Sequence, residues 1–137
     1  MFDYTKSVEI DMTSSEVKYI IALYELSAID KSIKQINLAH KLGLTRASIF
    51  KAIKNLSYKK YVIKESNSQV KLTTKGKDVA TKYIACADQI KIHLIKYLKS
   101  EENEAIIDSL AITCVMNMVN INKLYKISVK KGRYICH

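Results

Sequence analysis

The segment that most constrains the fold is Gly43–Leu56, which predicts a tight turn followed by a short helix. Gly43 suits the left-handed backbone position that ends a preceding helix. Thr45 is a good N-cap for the next helix, which we expect over about Arg46–Lys59. Apolar residues recur at the i, i+3, i+4, i+7 spacing of a single buried stripe. They are Ile49, Ala52, Ile53 and Leu56.

The opposite face of this helix carries small and basic side chains. Small residues at the N-terminal end let a helix approach DNA closely, as a recognition helix must. Arg46 and Lys51 are candidates to pair with guanine, and Phe50 is a candidate to contact a thymine methyl group. A plain solvated face is the alternative. The residues predicted for DNA contact on this segment are Thr45, Arg46, Ala47, Ser48, Phe50, Lys51, Lys54 and Asn55.

Two further helices are predicted before this one. Thr13–Glu16 has the form of a capping box, with Thr three residues before Glu, and predicts a helix that ends near Ser27. Ile33 is expected to be a short extended residue, and Lys34–Leu42 predicts a second helix, joined to the third by the Gly43 turn. Two helices joined by a tight glycine turn form a helix-turn-helix. Any helical hairpin needs a similar turn, so the turn alone does not distinguish a helix-turn-helix from other helical hairpins.

A short β-hairpin is predicted directly after the third helix. Residues 61–66 are rich in β-branched and aromatic side chains, and residues 70–73 alternate apolar and polar. Asn67 and Ser68 lie between them as a turn pair. A hairpin in this position is a wing, and its exposed side chains suit phosphate or minor-groove contact. The predicted wing contacts are Lys64, Asn67, Ser68, Gln69 and Lys71, and Lys34 and Lys54 are predicted to hold further phosphates.

The charge of the chain is concentrated in the same region. The formal net charge is +10, and residues 31–82 carry 13 basic and 2 acidic groups. Residues 1–30 carry 2 basic and 6 acidic groups, and residues 83–137 carry 8 and 5. A localised basic region is typical of nucleic-acid-binding proteins. The alternative is a solvated, lysine-rich surface, which the clustering of charge disfavours.

The second half predicts a long helix and an apolar one. Thr74 is the predicted cap of a helix from about Lys75 to Lys99, roughly 37 Å long. Ala105–Val119 is apolar on nearly all sides, so we expect it to be buried on all sides, with a second copy of the chain as the cover. The predicted fold is mainly α with a small β-wing. A winged helix-turn-helix domain (residues 1–74) precedes a helical dimerisation region (residues 75–137).

Other residue types exclude several functions. Cys86, Cys114 and Cys136 lack the spacing of a disulfide framework or a zinc motif. With no signal region and no segment suited to span a bilayer, the sequence predicts a cytoplasmic protein. No Gly-rich phosphate loop or nucleophile–base pair is present, so we predict no enzyme activity and no cofactor. Whether Cys114 or the Cys136–His137 tail binds a metal stays open.

The order helix, helix-turn-helix, wing, long helix, apolar helix resembles the diphtheria-toxin-repressor family. The likeness is greatest to its short, manganese-responsive members, and it covers about residues 15–125. It is carried by Tyr19–Tyr24, by Gly43–Leu56 and by Leu72-Thr-Thr-Lys-Gly-Lys77, although Leu-Thr-x-Lys-Gly occurs in many winged-helix families. The resemblance implies a homodimeric repressor that binds pseudo-palindromic double-stranded operators and needs a divalent metal.

The family's metal ligands do not carry over to this sequence. Lys18 and Ile21 stand where the family has carboxylates on the first helix, and its long-helix histidine falls near Ala87. The last ligand cluster falls on residues 110–114, where only Cys114, or Asp108 in a shifted alignment, can coordinate a cation. A cation site needs several converging donors. We therefore expect DNA binding without the family's manganese or iron.

Two alternatives stay open. The multiple-antibiotic-resistance regulators share the winged helix and the Leu-Thr-x-Lys-Gly stretch, but they usually have a longer N-terminal dimerisation helix than this chain has room for. The second alternative is a winged-helix protein-interaction module that no longer binds DNA, because a regulator that has lost its metal ligands can also have lost its DNA binding.

Overall fold

The computed structural model describes residues 12–131. This part of the chain is mainly helical with one small antiparallel sheet, which confirms the predicted fold class of a winged helix-turn-helix followed by a helical region. The Cys136–His137 tail lies outside the described residues. The elements are α1 (Ser14–Ser27), β1 (Ile33–Lys34), α2 (Gln35–Leu42), α3 (Arg46–Tyr58), β2 (Val62–Glu65), β3 (Gln69–Leu72), α4 (Thr74–Leu98), α5 (Glu102–Val115) and α6 (Met118–Lys130).

The predicted helix caps are present at α1 and between α2 and α3. The Thr13 hydroxyl accepts from the Glu16 backbone N–H at 3.2 Å, and the Glu16 carboxylate accepts from the Thr13 N–H at 3.4 Å. Gly43 ends α2 with φ 63°, and the next N–H, of Leu44, donates back to the Ala39 carbonyl at 3.0 Å. This pairing is a Schellman motif, which turns the chain directly into α3.

Residues 12–81 form one compact unit with a continuous apolar core. The predicted stripe of α3 faces this core, and Ile53 and Leu56 are fully buried. Because all four stripe residues are buried, the opposite face of α3 is left to solvent. The other large, fully buried apolar side chains of this unit are Val17, Ile20, Leu23, Leu38 and Val70.

The sheet has the strand order β1–β3–β2, and both pairings are antiparallel. The prediction that Lys34 begins the second helix was wrong, because Lys34 lies in β1 opposite Gln69 and α2 starts at Gln35. This pairing buries Ile33 against the sheet, a long-range contact that local propensity does not reveal. The wing loop follows β2, with Asn67 and Ser68 at φ 60° and 58°.

The link from the wing to α4 explains the Leu72–Lys77 motif in structural terms. The predicted cap was wrong by one residue, since the Thr73 hydroxyl, not that of Thr74, accepts from the Gly76 N–H at 3.1 Å. The Thr73 hydroxyl also lies 2.8 Å from the Lys60 carbonyl. A Cβ on Gly76 would lie 2.2 Å from the Tyr61 carbonyl oxygen, so only glycine fits there. The motif therefore serves the fold of the wing.

The other compact unit includes residues 82–131, and here the prediction of a single apolar helix was wrong. The helix is interrupted between α5 and α6, because the Asn117 side chain accepts a hydrogen bond from the Val119 N–H at 2.8 Å and caps a new helix. The new helix extends to Lys130, through residues whose structure the sequence did not predict. In a nearly continuous apolar run, the spacing of apolar residues does not indicate where one helix ends and the next begins.

α5 is not buried on all sides within one chain. Its buried positions are Ala105, Ser109 and Thr113, one residue per turn. Ile107 and Val115 are 66% and 75% exposed. Exposed apolar residues on one helix indicate a surface that another molecule can cover.

Candidate nucleic-acid interface

A groove of about 540 Å³ lies where the N-terminal ends of α2 and α3 meet the wing loop. Six of the residues predicted for DNA contact meet in this groove, although they come from three separate parts of the chain. They are Lys34, Arg46, Ala47, Phe50, Asn67 and Ser68, and the remaining lining residues are Gln35, Ile36 and Ile49.

Backbone pairing holds the three sides of the groove together. The Gln35 N–H donates to the Ser68 carbonyl at 3.0 Å, which joins the start of α2 to the wing loop. The Thr45 hydroxyl accepts from the Ser48 N–H at 3.1 Å and so fixes the first turn of α3. The Schellman turn at Gly43 sets the angle between the two helices. The positions of these side chains are thus set by two helix N-termini and by a wing loop that is hydrogen-bonded to one of them.

The groove is positively charged. Among the described residues that line it, Lys34 and Arg46 are basic and none is acidic. The Lys64 ammonium lies 5.4 Å from the centre of the Phe50 ring, which is 59% exposed. Neither Arg46 nor Lys64 forms an ion pair with another residue between 12 and 131. Cations without a carboxylate partner can bind the phosphates of a polyanion, and an exposed aromatic ring can contact its flat or methylated groups.

The other predicted contacts lie outside the groove. Lys51, Lys54 and Asn55 are on the exposed face of α3, and Lys64 and Lys71 are exposed on β2 and β3. Gln69 differs from the rest, because it is half-buried and its side-chain oxygen accepts from the Ser32 hydroxyl at 3.1 Å. The same hydroxyl contacts the Glu65 carboxylate at 2.6 Å. Gln69 is therefore held at the base of the wing.

Sequence reasoning missed the contribution of α2. Gln35 and Ile36 line the groove, and Lys34 makes no side-chain capping bond to the helix that it precedes. The positive end of the helix dipole favours an anion at such an N-terminus. A lysine where Ser, Thr or Asp usually caps a helix was a local signal that could have indicated this.

The residues at the positions of the family's metal ligands do not fit a metal site. Ile21 is 5% exposed in an apolar core, Lys18 carries a positive charge, and Ala87 has no donor atom. Within residues 12–131, no group of three or more His, Cys, Asp or Glu side chains is placed to share a metal ion.

The buried thiol of α4 is unreactive in character. Burial raises the pKa of Cys86 to about 11, and the Lys82 ammonium offsets part of that rise. Burial also raises the pKa of Tyr83, with smaller contributions from Cys114 and Cys86. The Cys86 thiol donates to the Ile121 carbonyl at 3.4 Å. A thiol that stays protonated is a poor nucleophile and a poor metal ligand.

Comparison with solved structures shows which proteins share this fold. The manganese regulator SloR has a TM-score of 0.68 and 23% identity over 85% of this chain and 54% of its own. The metal-dependent transcriptional regulator MtsR has 0.70 and 20% over 85% and 54%. The hypothetical protein SSo2273 from Sulfolobus solfataricus has 0.65 and 21% over 87% and 91%. The chain thus spans about half the length of the two regulators.

These matches confirm that the fold resembles that of metal-dependent transcriptional regulators. The two regulators are transcription factors and not enzymes, in agreement with the prediction from sequence. No protein-family model and no curated protein matches the sequence. None of the helices between residues 12 and 131 combines the length and the apolar character needed to cross a bilayer.

Proposed function

We propose that this chain is a sequence-specific, double-stranded-DNA-binding transcriptional regulator that acts in the cytoplasm as a repressor. The observation that carries the proposal is the groove, in which α2, α3 and the wing loop bring together six predicted contacts and no carboxylate. The likeness in fold to SloR and MtsR supports it. Charge of one sign on a rigid concave surface is suited to the phosphate backbone of a duplex.

In this proposal α3 enters the major groove of DNA. Arg46 and Lys51 pair with guanine, and Phe50 contacts a thymine methyl group. The wing residues Lys64 and Lys71 hold phosphates together with Lys34 and Lys54, and Asn67 and Ser68 reach the minor groove. Gln69 positions the wing through Ser32 more than it contacts DNA, because its side-chain oxygen is already bonded.

The regulator acts as a homodimer on a pseudo-palindromic operator. The exposed Ile107 and Val115 of α5 supply apolar surface for a second copy of the chain. Two copies related by a two-fold axis place two α3 helices in successive major grooves, so the operator repeats the symmetry of the protein. Sedimentation of the purified chain tests this, and a monomer at micromolar concentration would contradict it.

Control of this regulator does not depend on the divalent metal of its structural neighbours. Ile21 and Ala87 cannot coordinate a cation, and Lys18 would repel one. Some other signal therefore regulates DNA binding, if any signal does.

Gel-shift titration of genomic fragments at 50 and 200 mM salt tests the DNA-binding function. We expect some fragments to bind far more tightly than random duplex, and affinity to fall at least about tenfold between the two salt concentrations. Lys123, an exposed lysine of α6, provides a control of equal charge change for Lys51. Lys51→Ala should change the preferred fragments and Lys123→Ala should not. Equal binding to all duplexes would exclude a sequence-specific regulator.

A protein-interaction module is the second candidate, and the residues that do not fit a metal favour it. Affinity purification separates the two functions. A stable complex with a different protein, without salt-sensitive duplex binding, would support the module. Recovery of homodimers that bind DNA would reject it.

A further inference from the structure

A second groove, of about 650 Å³, lies between α4 and α6, and none of the residues assigned to DNA is among its described lining residues. Three lysines from two helices line it, and no carboxylate is among the described residues that line it. Its volume is in the range of small-molecule sites. The lining residues are Lys82, Asn122, Tyr125, Lys126, Val129 and Lys130.

Lys82 is held in place without being neutralised. Its ammonium donates to the Asn122 side-chain oxygen and lies 5.8 Å from the centre of the Tyr125 ring. Both partners are uncharged, and Lys82 forms no ion pair with another residue between 12 and 131. An amide and an aromatic ring fix the position of the charge while leaving it available to an anion.

Lys126 and Lys130 add two like charges one helical turn apart on α6. Such a pair of like charges at i, i+4 destabilises an isolated helix. The helix has no Asp or Glu that could offset this repulsion. The helix dipole favours Lys130 in the last turn, but it does not explain Lys82, which comes from α4. An anion bound between the two helices would relieve the repulsion of all three.

Two of the lining residues offer apolar surface. They are Tyr125, through its ring, and Val129, which is 40% exposed. We propose that this groove binds a small organic anion, with a phosphate or carboxylate group on the lysines and an aromatic or other apolar group against Tyr125 and Val129. The proposal does not depend on the DNA-binding function.

Amide NMR titration of the full chain with phenyl phosphate tests the proposal. We expect saturable shifts that cluster on residues 122–130 and around Lys82. Phenyl phosphate should bind at least about threefold more tightly than inorganic phosphate, because its ring buries apolar surface. Shifts that cluster elsewhere, or inorganic phosphate binding as tightly as phenyl phosphate, would overturn the proposal without any variant being needed.

Charge variants on one helix locate the site. Lys126→Gln should weaken phenyl phosphate about fivefold, as expected for one partly exposed charge pair. Lys123→Gln removes the same charge from α6 outside the groove and should leave the affinity within about twofold of the wild type. If Lys126→Gln has a lower melting temperature than the wild type, Lys130→Gln provides the second test. Equal losses in the groove variant and the control would show general charge attraction and reject the site.

A nucleic-acid backbone offers phosphate groups as well, so a 20-base-pair duplex is titrated in parallel. If the duplex moves the groove resonances while phenyl phosphate does not, and Lys126→Gln weakens the duplex more than Lys123→Gln, the groove contacts DNA. That result would overturn the small-anion proposal.

Discussion

Gly76→Ala is predicted to damage the junction between the wing and α4. The new Cβ would lie 2.2 Å from the Tyr61 carbonyl oxygen and 3.0 Å from Leu72 Cδ2. A carbon and an oxygen in contact prefer about 3.3 Å, so the backbones must separate by about 1 Å. That movement pulls the Gly76 N–H from the Thr73 hydroxyl, which caps α4.

The expected change in the free energy of unfolding has three contributions, two that destabilise the fold and one that stabilises it. Overpacking against backbone costs about 3 kcal/mol, and weakening the cap costs about 1 kcal/mol. Alanine in place of glycine inside a helix returns about 1 kcal/mol. The expected loss in the free energy of unfolding is therefore about 3 kcal/mol.

Urea unfolding followed by circular dichroism measures this loss, and Gly43→Ala is the matched control. Gly43 has φ 63°, and a Cβ there meets no atom within 4 Å. Gly43→Ala should lower the free energy of unfolding by about 1 kcal/mol in all. The strain of an alanine in the left-handed region destabilises the fold, and the smaller conformational entropy of the unfolded chain offsets part of this loss. If Gly76→Ala destabilises less than Gly43→Ala, the steric explanation of the Leu72–Lys77 motif is wrong.

Three more predictions concern the wing, the metal and pH. Lys71→Gln should weaken all duplexes alike and reduce the salt slope of binding by about 0.9, whereas Lys123→Gln should leave the slope unchanged in gel shifts. Manganese or ferrous iron should leave the melting temperature and operator affinity unchanged, and a rise of several degrees would contradict metal independence. The raised pKa of Cys86 stabilises the folded state fully below about pH 9, and this contribution, up to about 3 kcal/mol, is lost as the pH rises through about 11. Urea unfolding from pH 8 to 11 should therefore show a smaller alkaline loss in Cys86→Ser than in the wild type, and equal losses would refute this.

Local signals predicted the first four helices and the wing, because caps and turns act over a few residues. The Thr13 cap, the Gly43 turn and the apolar stripe of α3 were each read correctly from the sequence. β1 was predicted only in part, since Ile33 was expected to be extended but the pairing of Ile33 and Lys34 with β3, 35 to 37 positions further along the chain, was not predicted. The break between α5 and α6 was missed although its signal is local. The Asn117 cap lies inside the apolar run Ala105–Val119, and that run was predicted to be one helix because it is apolar on nearly all sides.

The candidate DNA interface could be predicted in part only. The sequence identified the exposed face of α3 and the wing residues, which follow from helical and strand periodicity. It could not show that Gln35 and Ile36 line one groove with Ser68, since the Gln35–Ser68 hydrogen bond comes directly after the long-range pairing of β1 with β3. Nor could it show that Ser32 holds Gln69, a side-chain bond between residues far apart in sequence.

The most direct test of the central claim is selection of preferred duplexes from a random pool by the full chain, repeated with Lys51→Ala and Lys123→Ala. We expect a pseudo-palindromic consensus from the wild type, the same consensus from Lys123→Ala, and a changed base preference within each half-site from Lys51→Ala. A pool that remains random after repeated rounds, or a consensus that Lys51→Ala leaves unchanged, would contradict the assignment of α3 as the helix that reads DNA.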